Sequence, residues 1–216
     1  MLIDHWPLLG LRVTSPRLEL RLPAEDELAR LADLAARGVH LPQERPFLSP
    51  WGALPPAERA RHVLRMHWRR LGRWTPDDWA LSLVAFREGQ PVGVQDVRAK
   101  EFGVRREISS GSWVGLEHQG AGLGTEMRAA MLHLAFEGLD AQWATSVSFS
   151  DNPASLAVSR KLGYRDDGIE HDVLDGRVAQ SRRLRLSRAD WARHATVPVT
   201  VTGLTDGCRE MLGTGG

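Results

Sequence analysis

A loop with three glycines is the part of the sequence whose residue types and spacing best suit chemistry. It runs Gln119-Gly120-Ala121-Gly122-Leu123-Gly124-Thr125, after an apolar, strand-like stretch over 112–116 and before a helical pattern over 126–136. A loop of this kind leaves several backbone N–H groups unpaired, with the positive end of the helix dipole behind them. Such an arrangement binds a phosphate or pyrophosphate, so the loop predicts an anion site.

Two familiar phosphate loops do not fit these residues. A Walker-type loop requires Lys followed by Ser or Thr, whereas Thr125 and Glu126 follow the last glycine. The dinucleotide fingerprint G-x-G-x-x-G is met at Gly120 and Gly122 but has Thr125 in its third position, and Asp140, the candidate ribose ligand, precedes its strand. A plain strand-to-helix turn needs one glycine, so three at alternate positions indicate close approach of a bulky ligand.

The composition limits the remaining function classes. A chain of 216 residues with 42% apolar residues can bury the core of one large domain. The net charge of +1 provides no global field that would favour nucleic acid, and we expect neither a signal peptide nor a membrane span. The single cysteine, Cys208, cannot form an internal disulfide, so we expect a reducing cytoplasm. His62 and His67 are five apart and do not share a helix face, so we predict no metal site.

The elements that must position the loop can be predicted from hydrophobic periodicity and turn residues. We predict strands over 11–22, 79–87, 91–99, 107–116, 142–149, 164–170 and 179–186, and helices over 23–38, 55–70, 124–137 and 152–163. This order predicts an α/β (α+β) fold, with a mixed central sheet of about seven strands and helices on both faces. We expect a single domain over 1–195 and a partly disordered tail over 196–216.

Four stretches resemble one known family in the right order. Gln119, Gly122 and Gly124 fill the pattern [R/Q]-x-x-G-x-[G/A] of the GNAT superfamily of acyltransferases. Three further stretches resemble its RimJ/RimL branch: residues 14–21, residues 111–115, and residues 152–155 with 161–164. The Trp6-Pro7-Leu8 start and the Pro-rich loop over 39–54 resemble that branch's succinyltransferase relatives. The resemblance covers about 11–190 and implies the GNAT fold.

The resemblance implies transfer of an acyl group from an acyl-CoA to a primary amine. Backbone N–H groups of the loop would hold the pyrophosphate (Gln119, Gly120, Ala121, Gly122, Leu123, Gly124 and Thr125). The pantetheine arm would pair with the central strand at Trp113, Val114 and Leu116, in a gap beside strand 142–149, with room left by Gly115. The N–H near Val114 would polarise the thioester carbonyl, and Asn152 and Ser155 would contact the arm, although Asn152 also suits a helix cap.

The acid and the base are less well defined by the resemblance. Many relatives have a tyrosine as proton donor where this chain has Ser159, whose hydroxyl is a poor acid but could bond the sulfur. A glutamate common in the branch is replaced by Ser109. Asp96, Glu107 and His118 remain as candidate bases, each of which could instead be an ordinary surface or structural residue. We take Ser159, Asp96 and Val114 as the candidate catalytic residues.

The acyl donor and the acceptor stay open at this point. The hydroxyl-rich run over 109–112 would widen the site, and with a nearby arginine it could bind a carboxylate, so acetyl-CoA and succinyl-CoA are both candidate cosubstrates. The acceptor could be a protein N-terminus, a lysine or a small-molecule amine, in a pocket built by residues 39–54 with Trp51, Trp74 and Trp79. A non-catalytic acyl-CoA-binding or sensing module is the alternative, and the tryptophans and the apolar tail suggest a homo-oligomer.

Overall fold

The strands and helices of the computed structural model, which describes residues 1–214, follow the predicted order through the centre of the chain. The strands are β1 Arg12–Thr14, β2 Glu19–Arg21, β3 Asp78–Arg87, β4 Gln90–Lys100, β5 Glu107–Val114, β6 Trp143–Phe149, β7 Arg165–Leu174, β8 Arg177–Ser187 and β9 Thr200–Thr202. The helices are α1 Leu2–His5, α2 Glu25–Arg37, α3 Pro56–Gly72, α4 Phe102–Arg105, α5 Leu123–His133, α6 Pro153–Lys161, α7 Arg188–His194 and α8 Asp206–Met211.

All nine strands join one sheet, in the order β7-β8-β6-β5-β4-β3-β2-β1-β9. The β5–β6 pair is parallel and the other pairs are antiparallel, which confirms the mixed sheet. The count of about seven strands is low, partly because the single strand predicted over 11–22 is two short antiparallel strands. Pro16 lies in the turn between them, where its missing N–H costs no ladder bond, and Val13 pairs with Leu20.

The two faces of the sheet carry separate hydrophobic clusters. On one face, Val84 of β3 and Val94 of β4 pack with Leu31 of α2 and Val63 of α3. On the other face, a larger cluster includes Leu83, Ile108, Met127 of α5 and Trp191 of α7. Helices therefore cover both faces, as predicted, and the sheet separates α2 and α3 from α5.

The segment after residue 196 differs from the expected partial disorder. Within the described residues it forms β9, which pairs with β1, and α8, whose Cys208 is fully buried together with the adjacent Leu212. The indole N–H of Trp79 donates to the Leu212 carbonyl at 3.1 Å, and that of Trp74 donates to the Met211 carbonyl at 2.9 Å. These two tryptophans therefore hold the C-terminal segment and do not line an acceptor pocket. Among the described residues, no helix is long and apolar enough to cross a membrane.

Candidate active site

The glycine loop presents a row of free backbone amides at the start of α5. Gly120 and Gly122 have φ of +76° and +77°, a left-handed conformation that glycine adopts without penalty, and Gly122 is the N-cap of α5. The N–H groups from Gly120 to Thr125 have no acceptor among the described residues. Because the loop is exposed as far as Gly122, these amides and the helix dipole are open to an anion.

Gln119 has a different role from the amides that follow it. Its own N–H donates to the Leu116 carbonyl at 3.2 Å, so the free amides begin at Gly120. Its side-chain Nε2 donates to the carbonyls of Val39 and Val114, both at 2.9 Å. Gln119 therefore ties the loop to β5 and to the segment after α2.

A buried carboxylate anchors the other side of the loop. Glu126 of α5 accepts hydrogen bonds from Ser15 Oγ at 2.8 Å, from Arg17 N–H at 2.9 Å and from Arg17 Nε at 2.6 Å. Arg17 also donates to the Ala121 carbonyl at 3.0 Å. Burial alone would raise the pKa of Glu126, but these hydrogen bonds and the Arg17 charge lower it overall. Sequence reasoning missed this clamp, although both of its segments belong to the stretches that carried the resemblance.

A gap opens in the sheet directly before the loop. The parallel pairing of β5 with β6 ends at Ser110 opposite Ser146, whereas β5 continues to Val114 and stays paired with β4. β6 continues to Phe149, paired with β8. Beyond Ser110, the edge of β5 that faces β6 therefore has no partner strand among the described residues.

The direction of the free groups follows from the antiparallel pairing. The Gly115 N–H donates to the Val92 carbonyl at 2.9 Å, so residues at odd positions of this strand bond to β4. In an antiparallel ladder the backbone N–H and C=O groups of the alternate residues point away from the partner strand, here β4. The N–H groups of Ser112 and Val114 therefore face the gap, where an extended ligand can pair with them as an added strand.

The structure shows a packing reason for glycine at position 115, in addition to the expected room for the pantetheine arm. A Cβ at this position would lie 2.5 Å from Leu34 Cδ1 of α2. The missing side chain therefore leaves room for Leu34.

A cavity of about 630 Å³ lies on the α2–α3 face of the sheet, beside β5. Residues 47–51 form one wall, in which Trp51 stacks on His62 at 5.1 Å and packs edge-on against Trp113 at 5.7 Å. The sequence predicted residues 39–54 and Trp51 as the wall of an acceptor pocket. Phe47, Leu48, Ser49 and Trp51 of that loop line the cavity, and an acceptor in it stays a prediction.

The polar lining of the cavity is mostly basic. Asp96 forms a two-pronged ion pair with Arg70, at 2.5 and 2.7 Å, and Arg70 also donates to Ser82 Oγ at 2.5 Å. Three more arginines line the cavity: Arg65, Arg69 and Arg98. The Arg98 guanidinium lies over β5, since a Cβ on Gly111 would be 3.0 Å from its Nη2.

Two histidines line the same cavity and were considered in the sequence only as metal ligands. Burial lowers the pKa of His62, with further lowering from the charges of nearby arginines, and it lowers the pKa of His67 in the same way. Both imidazoles are therefore neutral near pH 7 and can accept a proton. Within residues 1–214, no group of three or more His, Cys, Asp and Glu side chains could hold a metal ion.

Of the three candidate bases, the structure places one at the cavity and the other two away from it. Asp96 and Trp113 line the cavity, whereas Glu107 and His118 do not. Glu107 instead pairs with Arg105 at 3.1 Å and with Arg185 at 2.6 Å, at the start of β5.

The predicted α6 residues lie across the gap from β5. Asn152 caps the helix, with Oδ1 accepting the Ser155 N–H at 3.1 Å. Ser159 is fully buried, donates to the Ser155 carbonyl at 3.0 Å and accepts from Arg128 Nη1 at 2.8 Å. Burial lowers the pKa of this guanidinium. No sequence pattern singled out Arg128.

The sheet therefore opens beside a loop of free amides, and a cavity lies on one face next to β5. The model of the GNAT acetyltransferase domain matches residues 17–165. The chain therefore belongs to the GNAT acetyltransferase family, which confirms the resemblance.

Solved structures share the fold at low identity. RimJ of Mycobacterium smegmatis, in complex with a CoA disulfide, is 18% identical with a TM-score of 0.67, over 87% of this chain and 94% of RimJ. The ribosomal L7/L12 alpha-N-protein acetyltransferase RimL, in complex with coenzyme A, is 22% identical with a TM-score of 0.63, over 80% and 95%. A GNAT acetyltransferase from Bacillus anthracis is 14% identical with a TM-score of 0.64, over 82% and 99%.

Proposed function

We propose that this protein transfers an acetyl or succinyl group from an acyl-CoA to a primary amine. One observation carries the proposal: β5 leaves β6 after Ser110 and leads directly into a loop whose amides from Gly120 to Thr125 are free. An acyl-CoA has a pyrophosphate that fits the amides and an extended amide-bearing arm that fits the free edge of β5.

The residues of the gap would bind and orient the thioester. The loop amides hold the pyrophosphate, and the N–H groups of Ser112 and Val114 pair with the arm. The Val114 N–H is the candidate donor to the thioester carbonyl, where negative charge develops during attack. Asn152 and Ser155 at the start of α6 stay candidates for contact with the arm.

The base in this proposal lies in the cavity. The attacking amine must be neutral and must lose a proton as the new C–N bond forms. Asp96 is one candidate, although Arg70 occupies both of its oxygens. His62 and His67 are neutral and line the same cavity, so we propose that one of them receives the proton.

The choice of acyl group would depend on Arg98. Its guanidinium lies against Gly111, has no ion-pair partner among the described residues and lines the cavity next to β5. A succinyl group carries a carboxylate that this guanidinium can bind, whereas an acetyl group has none. The structure of the pocket therefore supports succinyl-CoA as a donor alongside acetyl-CoA.

The charge of the cavity would also select the acceptor. Arginines outnumber acids in the lining, and Asp96 is neutralised by Arg70. A polycationic amine is repelled by such a pocket, whereas an amine that carries a carboxylate or belongs to an acidic segment is attracted. We propose an acceptor of this second kind: a protein N-terminus, as acetylated by the structural neighbour RimL, a lysine in an acidic segment, or a small amino acid-like amine.

A donor-by-acceptor assay tests the proposal. Purified protein is given acetyl-, propionyl- or succinyl-CoA with an acidic peptide, a basic peptide or a polyamine, and thiol release and acylated product are both measured. We expect equal amounts of thiol and product, with the acidic peptide preferred. Arg98→Gln should raise KM for succinyl-CoA about tenfold, as expected for a lost charged hydrogen bond, and leave acetyl-CoA unchanged. Arg87→Gln, on the same hairpin outside the cavity, is the matched control.

The alternative of a non-catalytic sensor makes a distinct prediction in the same assay. A sensor binds acyl-CoA but releases no thiol with any acceptor. Turnover with any amine contradicts the sensor, and binding without turnover across the panel contradicts the enzyme.

A further inference from the structure

The α5 side of the gap holds a buried guanidinium that pairs with no acidic side chain of residues 1–214. Arg128 is 5% exposed and reaches both sides of the gap, since Nη1 donates to Ser159 Oγ of α6 at 2.8 Å and Nη2 lies 3.5 Å from Ser112 Oγ of β5. Its Nε has no hydrogen-bonding partner among the described residues. The titratable group that faces it is the Tyr164 hydroxyl, which is buried and also lacks a partner at hydrogen-bonding distance there.

The unused atoms of Arg128 form the edge that binds a carboxylate best. A buried charge needs a counter-charge or several hydrogen bonds, and burial accordingly lowers the pKa of this guanidinium. Because Ser159 occupies Nη1, the atoms left are Nε and Nη2, which lie side by side and can donate two parallel hydrogen bonds to one carboxylate. Arg128, Ser112, Ser159 and Tyr164, here called the gap cluster, therefore contain donors for an anion that the described residues do not supply.

The direction of an acyl-CoA in the gap indicates which of its parts reaches the gap cluster. With the pyrophosphate on the loop after β5 and the thioester carbonyl at the Val114 N–H, the pantetheine arm and the sulfur lie on the loop side of Val114. The acyl chain continues the other way, past Ser112 toward Ser110, where the pairing of β5 with β6 ends. The far end of the acyl chain is therefore the part that faces the gap cluster.

The distance fits a four-carbon acyl chain that ends in a carboxylate. Ser112 is two residues from Val114, which is roughly 7 Å along a strand. In an extended succinyl group, three C–C bonds of about 1.5 Å place the carboxylate carbon about 4 Å from the thioester carbon, and a charged hydrogen bond covers a further ~2.8 Å. An acetyl group ends at its methyl, about 1.5 Å from the thioester carbon, and carries no charge that could neutralise Arg128.

Arg98 approaches the same part of β5 from the opposite face of the sheet. Its guanidinium lies over Gly111 on the cavity face, whereas Arg128 contacts the next residue, Ser112, from the α5 face. A carboxylate in the gap can be reached by both. Arg98 is exposed and stays hydrated when no carboxylate is bound, whereas Arg128 is buried. A donor without a carboxylate therefore leaves its larger cost at Arg128.

We propose that the gap cluster is the subsite for the terminal carboxylate of a dicarboxylic acyl group, and that Arg128 makes succinyl-CoA the preferred donor. The proposal rests on the proposed function and leaves its chemistry unchanged. The amine nitrogen bonds to the thioester carbon, its proton passes to the base in the cavity, and the C–S bond breaks with its electron pair on sulfur. The carboxylate takes no part in these steps and is transferred with the acyl chain.

Ser159 is a positioning residue in this subsite. It is fully buried, its hydroxyl donates to the Ser155 carbonyl at 3.0 Å, and its oxygen accepts from Arg128. Ser159 therefore fixes the guanidinium between α6 and β5 without contacting the acyl chain through a free proton.

A comparison of donors on the wild-type protein is the first test. Acetyl-, malonyl-, succinyl- and glutaryl-CoA are compared, with butyryl-CoA as the uncharged donor of the same chain length as succinyl. We expect kcat/KM for succinyl-CoA to exceed that for butyryl-CoA roughly 100-fold, because the uncharged chain leaves a buried charge unpaired. Succinyl-CoA should also raise Tm more than butyryl-CoA at equal concentration, a measurement that needs no acceptor.

Variants assign the preference to the arginine. Arg128→Met should lower kcat/KM for succinyl-CoA roughly 100-fold, as expected for the loss of charged hydrogen bonds, while the value for acetyl-CoA changes less than about threefold. A purely structural arginine would instead lower both values together. Arg209→Met, at an arginine that bonds the Gly138 carbonyl at the far end of the α5 region, is the control and should keep the preference for succinyl-CoA.

Each outcome decides. Equal kcat/KM for succinyl- and butyryl-CoA in the wild-type protein overturns the proposal without any variant. So does a preference for succinyl-CoA that persists in folded Arg128→Met, including one that only Arg98→Gln removes. If Arg128→Met does not fold, Ser159→Ala should reduce the preference severalfold, and an unchanged preference in it contradicts the proposal. A protein that transfers acetyl as readily as succinyl loses this subsite and keeps its proposed function, whereas one that binds no acyl-CoA loses both.

Discussion

Replacing Gly122 by alanine should weaken acyl-CoA binding in addition to destabilising the fold. Gly122 has φ of +77°, and a Cβ added there would meet only Arg17 Nη2, at 3.6 Å, which is an ordinary contact. The cost to the free protein is therefore the left-handed backbone, about 1–2 kcal/mol. For a chain of this length, that lowers Tm by roughly 2–8 °C.

Binding carries a separate cost, because the only protein atom that the new methyl group would meet within 4 Å is Arg17 Nη2, and the rest of its surroundings are free for a phosphate at the loop. Each amide hydrogen bond to a charged phosphate is worth about 1.5–3 kcal/mol, so losing one weakens acyl-CoA binding roughly 10- to 100-fold. Urea unfolding measures the stability, and calorimetric titration with acetyl-CoA measures the affinity.

Gly89→Ala is the matched control for this prediction. Gly89 lies in the β3–β4 turn with φ of +74° and no atom within 4 Å of an added Cβ, so its substitution carries the same backbone cost. The reasoning is refuted if the two variants lose similar stability and both bind acetyl-CoA as tightly as the wild type.

Three further variants test other parts of the structure. Glu126→Gln should cost about 2 kcal/mol at pH 7, since it removes the acceptor of charged hydrogen bonds from a half-exposed Arg17. Because the fold lowers the pKa of Glu126, the stabilisation by this carboxylate is present above the pKa of the unfolded carboxyl, ~4.3, and is lost as the pH falls through the folded value. Urea unfolding at pH 7 and pH 4 should therefore show that the difference in unfolding free energy between variant and wild type becomes smaller in acid. A difference that becomes larger in acid contradicts the hydrogen bonds and ion pair assigned to Glu126. His62→Gln or His67→Gln, whichever histidine is the base, should remove the acidic limb from the plot of kcat/KM against pH. That limb should lie below about pH 6.5, because burial lowers the pKa of both histidines. If both variants keep the limb, neither histidine is the base. Leu212→Ala should destabilise the fold by about 2–4 kcal/mol, as expected for truncating a fully buried leucine, and a loss below about 0.5 kcal/mol in thermal or urea unfolding would show that the C-terminal segment is not part of the core.

Local sequence signals predicted most of the fold. The glycines at the start of α5, the cap at Asn152 and the hairpin turn at Gly89 each depend on neighbours within a few residues, and the structure has them as expected. The gap beside β5 followed from the family resemblance carried by the loop.

The parts that could not be predicted depend on contacts distant in sequence. The Trp79–Leu212 hydrogen bond spans 133 positions, and a short apolar run in a glycine-rich tail contains no local signal for that partner. Glu126 meets Ser15 across 111 positions, so its place beside Thr125 could not reveal the clamp. Arg128 occurs within an apolar helix pattern, where its burial is visible only when α6 is placed against it.

The most direct test of the central claim is a calorimetric comparison of three ligands: acetyl-CoA, acetyl-pantetheine and NAD. The structure predicts one site for acetyl-CoA at about 10 μM or tighter, within the usual range for enzyme substrates. Acetyl-pantetheine lacks the pyrophosphate and should bind at least roughly 100-fold more weakly, because it leaves the loop amides unused. NAD has a pyrophosphate but no amide-bearing arm to pair with β5, so it should also bind more weakly than acetyl-CoA. Absence of binding by acetyl-CoA, or equal affinity for acetyl-CoA and acetyl-pantetheine, would contradict the assignment of the glycine loop and the gap beside β5 as the acyl-CoA site.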